Sequence, residues 1–186
     1  MVEKIKKDRF AVSDEAPIVL ETPIEAPVVP EVTVPLVKLN LGCGFRKMDG
    51  YVNIDNREIV KPDVCGDVFK VLGSYADSSV DEVRAFDFME HIERPMVIPL
   101  MREIHRVLKK GCVFHFFIPS TDGRGAFMDP THVSFWNIDS WLYFCEPIWH
   151  DLYPDLPEFR TFSLHDVNSS PQHRIIHTEG KVVPVK

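Results

Sequence analysis

The stretch from Asp81 to Pro119 constrains the fold more than any other part of the chain. DEVRAFDF (Asp81–Phe88) reads as a strand. In RPMVIPLMREIHRVLKKG the residues Val97, Leu100, Met101, Ile104, Val107 and Leu108 recur at helical spacing. Pro95 stands near the start of that helix, Lys109 and Lys110 fall in its last turn, and Gly111 is the expected stop. CVFHFFIP (Cys112–Pro119) is a nearly continuous apolar run of the kind a parallel sheet buries on both faces. Strand, amphipathic helix and strand within about 40 residues make a right-handed crossover, which predicts the parallel α/β class.

Two more strands precede this unit. VKLNLGCG is an apolar run that stops at two glycines, and YVNID (Tyr51–Asp55) alternates between Gly50 and Asn56. After Pro119 the chain is loop-rich through STDGRGAFMDPTH, and a short helix is expected near Asp139 to Cys145, capped by Asn137 or Asp139. FRTFSLHDV and HRIIHTEGKVVPV are expected to close the sheet as antiparallel strands joined at NSSPQ.

With 186 residues, 45% of them apolar, the chain can bury one sizeable core. Residues 1–36 differ in texture. Residues 11–36 hold five of the fifteen prolines, and residues 1–36 carry −3 of the net charge of −7. Each proline removes a backbone donor and restricts the residue before it, so an extended, polyproline-like leader is expected ahead of a domain over 37–186. The alternative is that the Val and Ile residues of residues 1–36 dock along a sheet edge or on a protein partner.

The absence of a long apolar run predicts no membrane association and a soluble, cytoplasmic protein. Cys43, Cys65, Cys112 and Cys145 are widely spaced and are expected to be reduced thiols, without the spacing of a structural zinc site. A mildly acidic body disfavours nucleic acid as a partner.

In open parallel sheets, ligands bind beyond the carboxyl ends of the strands. That directs attention to Gly42-Cys43-Gly44, Asp55, Asp67, the segment Asp87–His91 and the loop after Pro119. Glycines at a strand end let a ligand approach the backbone, and a carboxylate ending the next strand suits the two hydroxyls of a ribose. The candidate proton acceptors at these strand ends and in the long loop are His91, Asp129 and His132. His173 and His177 have an i, i+4 spacing, but HRIIHT reads as strand, so no metal site is expected there.

The ordered series KLNLGCG, GYVNID, CGDVF, SVDEVRAFDFMEHI and LMREIHRVLKKGCVFHFFIPS resembles the successive motifs of class I S-adenosylmethionine-dependent methyltransferases, most of all the type 11 group. The resemblance covers about residues 37–145, and Asp129 to His132 (DPTH) is similar to a loop of some members. It implies a Rossmann-like, mostly parallel sheet with flanking helices and an antiparallel C-terminal edge. It further implies S-adenosylmethionine as cofactor and a small-molecule or sugar-type acceptor. Carried over by position, Gly42, Cys43 and Gly44 would approach the methionine part and Asp55 the ribose. Asp67 and Val68 would sit by the adenine, and Phe86, Asp87 and Phe88 on the methionine side. Phe88, Met89, Glu90 and His91 would border the acceptor.

Two positions depart from the family pattern. Asn40 stands where the first strand usually carries an acid, and Arg46 where the turn has a third glycine. Only Phe45 to Gly50 lie between Gly44 and Tyr51, too few for a crossover helix, so the first crossover is shortened. These departures keep open a non-catalytic binding or assembly module tethered by its leader. The short connection counts against a nicotinamide oxidoreductase, whose phosphate site needs a helix directly after the glycines.

Overall fold

The computed structural model describes residues 35–186. The expected leader over residues 1–36 therefore lies almost wholly outside the described part. In chain order the elements are β1 (Lys38–Leu41), β2 (Val52–Asp55), β3 (Val64–Cys65), α1 (Val68–Gly73), β4 (Val80–Phe86), α2 (Arg94–Val107), β5 (Leu108–Pro119), α3 (Gly125–Met128), α4 (Leu142–Cys145), α5 (Pro147–Leu152), β6 (Phe159–Ser170) and β7 (Ile175–Pro184). They form one seven-stranded sheet of order β3-β2-β1-β4-β5-β7-β6. The first five strands are parallel, and β7 and β6 add an antiparallel edge.

The central crossover follows from its sequence. α2 buries Leu100, Met101, Ile104 and Val107, one helical stripe, against the sheet. The helix ends at Val107, earlier than Gly111, and Leu108 to Gly111 belong to β5 instead. Pairing with the preceding strand explains the difference. Val80 is registered with Leu108, and the Lys109 ammonium lies 2.7 Å from the Asp81 carboxylate, which draws the two lysines out of the helical path and into the sheet. A register shift between Val80 and Glu82 and a positive φ of 78° at Gly111 absorb the mismatch.

The helix-free connection from β1 to β2 is held by two buried amides. Asn40 and Asn53 are register partners on adjacent parallel strands. The Asn40 amide donates to Asn53 Oδ1 at 2.9 Å and to the Arg46 carbonyl at 3.3 Å. Asn53 accepts from the Met48 backbone at 2.8 Å and donates to the carbonyls of Met48 and Tyr51. Side chains thus satisfy the loop's backbone groups, a task that a crossover helix would perform internally.

The core is aromatic on the β5 side. Trp141 is fully buried and stacks on Phe116 with ring centroids 3.5 Å apart, with Trp136, Phe114 and Phe144 around it. It sits in a 3₁₀ turn over Ile138–Trp141 that Asn137 caps through a reciprocal exchange with Ser140. Among the described residues no helix is long and apolar enough to cross a membrane.

Candidate active site

The strand order reverses between β1 and β4, and a cavity of about 420 Å³ opens there at the carboxyl ends of the strands. Gly42 and Gly44 turn the chain out of β1 with φ of 61° and 51°. A Cβ on Gly42 would stand 2.2 Å from the Phe88 ring, so only glycine lets the bend and that ring share the wall. Gly42→Ala is expected to cost about 1–2 kcal/mol in backbone strain alone, read as a lower denaturation midpoint, before any displacement of Phe88.

Asp55 ends β2 and faces the bend. Its Oδ2 accepts from the Gly44 backbone at 2.9 Å, and its Oδ1 accepts from the Arg57 backbone at 2.9 Å. The Arg57 guanidinium takes the remaining positions, through Nε at 3.1 Å and Nη2 at 3.2 Å. Burial would raise this carboxyl, but the hydrogen bonds from Arg57 and Gly44 outweigh it and hold its pKa below the ordinary value. The Asp55 side chain is buried, whereas the Arg57 side chain is 62% exposed, so the guanidinium can swing away while the two backbone donors stay.

Asp87 begins the segment after β4 in the left-handed region, with φ of 49°. Its carboxylate lies 3.3 Å from His177 Nε2 and 3.2 Å from Arg46 Nη1. Burial alone would raise its pKa, and the His177 contact together with Arg46 brings it below the usual carboxylate range. Asp67 accepts from the Lys70 backbone at 3.1 Å as the N-cap of α1, leaving Val68 and Phe69 on the cavity wall.

The loop after β5 closes the far side. Asp129 accepts from the Thr131 backbone at 2.8 Å and from its hydroxyl at 2.7 Å, and the Thr131 hydroxyl and carbonyl lie 3.3 and 3.4 Å from His91 Nδ1. Val133 and Ser134 donate their backbone N–H groups to the Glu90 carbonyl, stitching the loop to the turn after β4. Behind His91, burial pushes the Glu90 carboxyl up to about 8.

Of the positions singled out in the sequence, Gly42, Asp55, Asp67, Val68, Asp87, Phe88 and His91 surround the cavity. The others stand outside its walls, each for a visible reason. Asn40 spends its amide on Asn53 and Arg46. The Cys43 thiol is buried beside the Gly44 carbonyl, and Gly44 acts through its N–H on Asp55. Phe86 packs edge-on against His115 beneath the Arg84 guanidinium. Asp129 holds Thr131, and His132 lies behind His91 with its Nδ1 2.9 Å from the Ala126 carbonyl. Phe69, Ile92 and Thr131 join the wall from within the quoted motifs CGDVF, SVDEVRAFDFMEHI and DPTH without being singled out there, and Arg57 joins it with no signal in the sequence. His177 reaches Asp87 from β7, while His173 contacts Ser170, so the i, i+4 pair is split.

Residues 39–116 match the model of a methyltransferase domain family. The chain is similar in fold to an S-adenosylmethionine-dependent methyltransferase from Archaeoglobus fulgidus, at 14% identity and a TM-score of 0.54 over 78% of this chain and 86% of that one. It is similar also to the Burkholderia thailandensis 1,6-didemethyltoxoflavin-N1-methyltransferase with bound S-adenosylhomocysteine, at 15% identity and a TM-score of 0.52 over 82% and 72% of the two chains. A third similar structure is the [4+2]-cyclase SpnF, at 14% identity and a TM-score of 0.60 over 83% and 77%. The search of curated proteins gave no match. A cavity of ligand size at the reversal point, a glycine bend that admits no Cβ, and two carboxylates facing a site for a cationic nucleoside suit such a cofactor. Residues 39–116 thus carry the match to a methyltransferase domain, and the chain has the fold of solved S-adenosylmethionine-dependent methyltransferases.

Proposed function

We propose that the chain methylates a hydroxyl of a small-molecule or sugar-type acceptor that enters beside His91 and Thr131. The observation that carries this reading is the division of the cavity. The end at Gly42, Asp55, Asp67 and Asp87 is acidic and glycine-lined, and the opposite end, at His91, Ile92 and Thr131, carries an imidazole and a hydroxyl. The cavity is of a size for a cofactor and a compact acceptor. An acidic body argues against nucleic acid. The Burkholderia enzyme of similar fold was solved with bound 1,6-didemethyltoxoflavin and S-adenosylhomocysteine, which supports a small molecule as acceptor without specifying the acceptor atom.

When bound, the cofactor supplies a methyl group on a positively charged sulfur. The chain's own residues do the rest. Asp55 grips the ribose hydroxyls, which take the place of the Arg57 guanidinium, while the N–H groups of Gly44 and Arg57 keep the carboxylate aimed. Asp67 and Val68 flank the base, and Asp87 and Phe88 flank the methionine arm. The loop that Asp129 and Thr131 hold beside His91 walls the acceptor end and orients the acceptor, whose proton leaves to solvent through that open corner.

Isothermal titration of the full chain with S-adenosylhomocysteine tests the cofactor half, and methyl transfer to a panel of hydroxyl compounds tests the acceptor half. Saturable binding to one site is expected, and a folded chain that gives no heat would overturn the reading. Arg57→Ala is expected to strengthen binding a few-fold, because it removes the donors that compete with the ribose for Asp55. Weaker binding in that variant would show that Arg57 contacts the cofactor itself.

A further inference from the structure

The corner behind His91 contains an arrangement that methyl transfer by positioning alone does not explain. Glu90 is 2% exposed, and among the described residues neither of its carboxylate oxygens has a hydrogen-bond partner. Among the described residues no Lys or Arg pairs with it, and the basic group that reaches within 4 Å is His132. A buried carboxylate without donors is costly to keep ionised, and protonating it leaves an O–H with nothing to donate to.

His132 faces the same spot with its Nε2. Its Nδ1 lies 2.9 Å from the Ala126 carbonyl, which only accepts, so Nδ1 carries the proton and Nε2 of the neutral ring presents a lone pair. That lone pair lies 3.9 Å from Glu90 Oε1 and 3.9 Å from Asp129 Oδ2. Three electron-rich atoms converge with no hydrogen bond joining them. His91 adds a fourth donor group, its ring edge-on to His132 with centroids 5.0 Å apart.

We infer that Glu90, His91 and His132 form a binding site for one divalent transition-metal ion at the acceptor end of the cavity. One donor atom from each lies within 4.8 Å of the other two. Two ligands bound at about 2.1 Å lie at most about 4.2 Å apart, so the His132–Glu90 pair already spans one ion, and the exposed His91 side chain supplies the remaining closure. The hydrogen bond from His132 Nδ1 to a backbone carbonyl is the outer support that orients a metal-binding imidazole, and the Thr131 carbonyl stands beside His91 Nδ1 in the same way. Two imidazoles and a carboxylate suit Zn²⁺, Co²⁺, Mn²⁺ or Fe²⁺ and leave coordination positions open.

Because His91 and Thr131 line the cavity, those positions face the acceptor. The ion would hold an acceptor hydroxyl and lower its pKa, so that its proton passes to solvent at the exposed His91 corner and the oxygen takes the methyl group from the sulfonium, which leaves as a neutral thioether. This role rests on the methyl-transfer reading, whereas the binding of the ion does not.

The test is titration of the full-length, untagged, chelator-treated chain with Zn²⁺ by calorimetry and with Co²⁺ by visible absorption. One ion per chain is expected, with d–d bands of nitrogen and oxygen ligation and without the intense thiolate band that the free cysteines would produce. Glu90→Gln, which keeps the buried shape, is expected to weaken binding by about 100-fold or more. His91→Ala, at an exposed position away from the core, is expected to weaken it at least about 10-fold. Absence of saturable binding, or wild-type affinity in both variants, overturns the site. A parallel titration of the unmodified chain with S-adenosylhomocysteine separates the two claims. Metal binding without nucleoside binding keeps the site and removes its role in methyl transfer, and nucleoside binding without metal binding removes the site.

Discussion

Asp55→Ala is expected to weaken S-adenosylhomocysteine binding by roughly 100-fold, measured by calorimetry on protein that remains folded. Two ribose hydroxyls donating to one ionised carboxylate are worth about 1.5 kcal/mol each, and their sum of about 3 kcal/mol corresponds to that factor. The carboxylate is suited to the task because it is already aimed. Gly44 and Arg57 hold it with backbone N–H groups at 2.9 Å, so the nucleoside need not order it on binding. Those bonds also keep its pKa below the ordinary carboxylate value. The group therefore stays ionised through neutral and mildly acidic solution, and acidification to about pH 5 is not expected to weaken nucleoside binding on its account. The sign for stability is the same. A carboxyl with a depressed folded pKa stabilises the fold above its unfolded value of about 4, and that contribution is lost as pH falls through the folded value. If Asp55→Ala binds the nucleoside as tightly as the parent chain, the assignment of the ribose to this carboxylate is wrong.

Trp141→Ala is expected to produce the largest loss of stability, about 3–5 kcal/mol by chemical denaturation and roughly 10 °C in melting temperature. Trp141 is fully buried and stacked face to face on Phe116, with Trp136, Phe114 and Phe144 completing the cluster. Alanine would leave a cavity that these rings cannot fill together. Among the described residues the indole N–H has no partner, however, so part of the native side chain is itself a burden. Trp141→Phe removes that N–H and keeps a ring, and about 1–2 kcal/mol of loss is expected there. Equal losses in the two variants would mean that the N–H is satisfied in solution and that ring area is not what decides the difference.

The two variants probe parts of the molecule that differ in how visible they were in the amino-acid order. The βαβ unit was readable because its information is local. Leu100, Met101, Ile104 and Val107 fall on one stripe of α2, and the flanking apolar runs are long enough to be buried strands. Residue order alone places the α2 terminus too late, because Lys109 and Lys110 look like a favourable last turn until Asp81, from another strand, claims Lys109. The departure at Asn40 was visible as an anomaly, and its meaning was not. Only when β1 and β2 lie side by side does Asn40 meet Asn53 and replace a crossover helix.

Sequence alone determined the α/β class, the glycine bend after the first strand and the acid ending the second, since each depends on residue type and spacing within a few positions. Tertiary structure decided that Arg57 lies across Asp55, that His177 reaches Asp87 from the antiparallel edge, and that Glu90, His91 and His132 converge. Those pairings join side chains from separate elements or depend on the path of a loop. Their energies depend on burial and distance, neither of which exists until the sheet has brought the strand ends together.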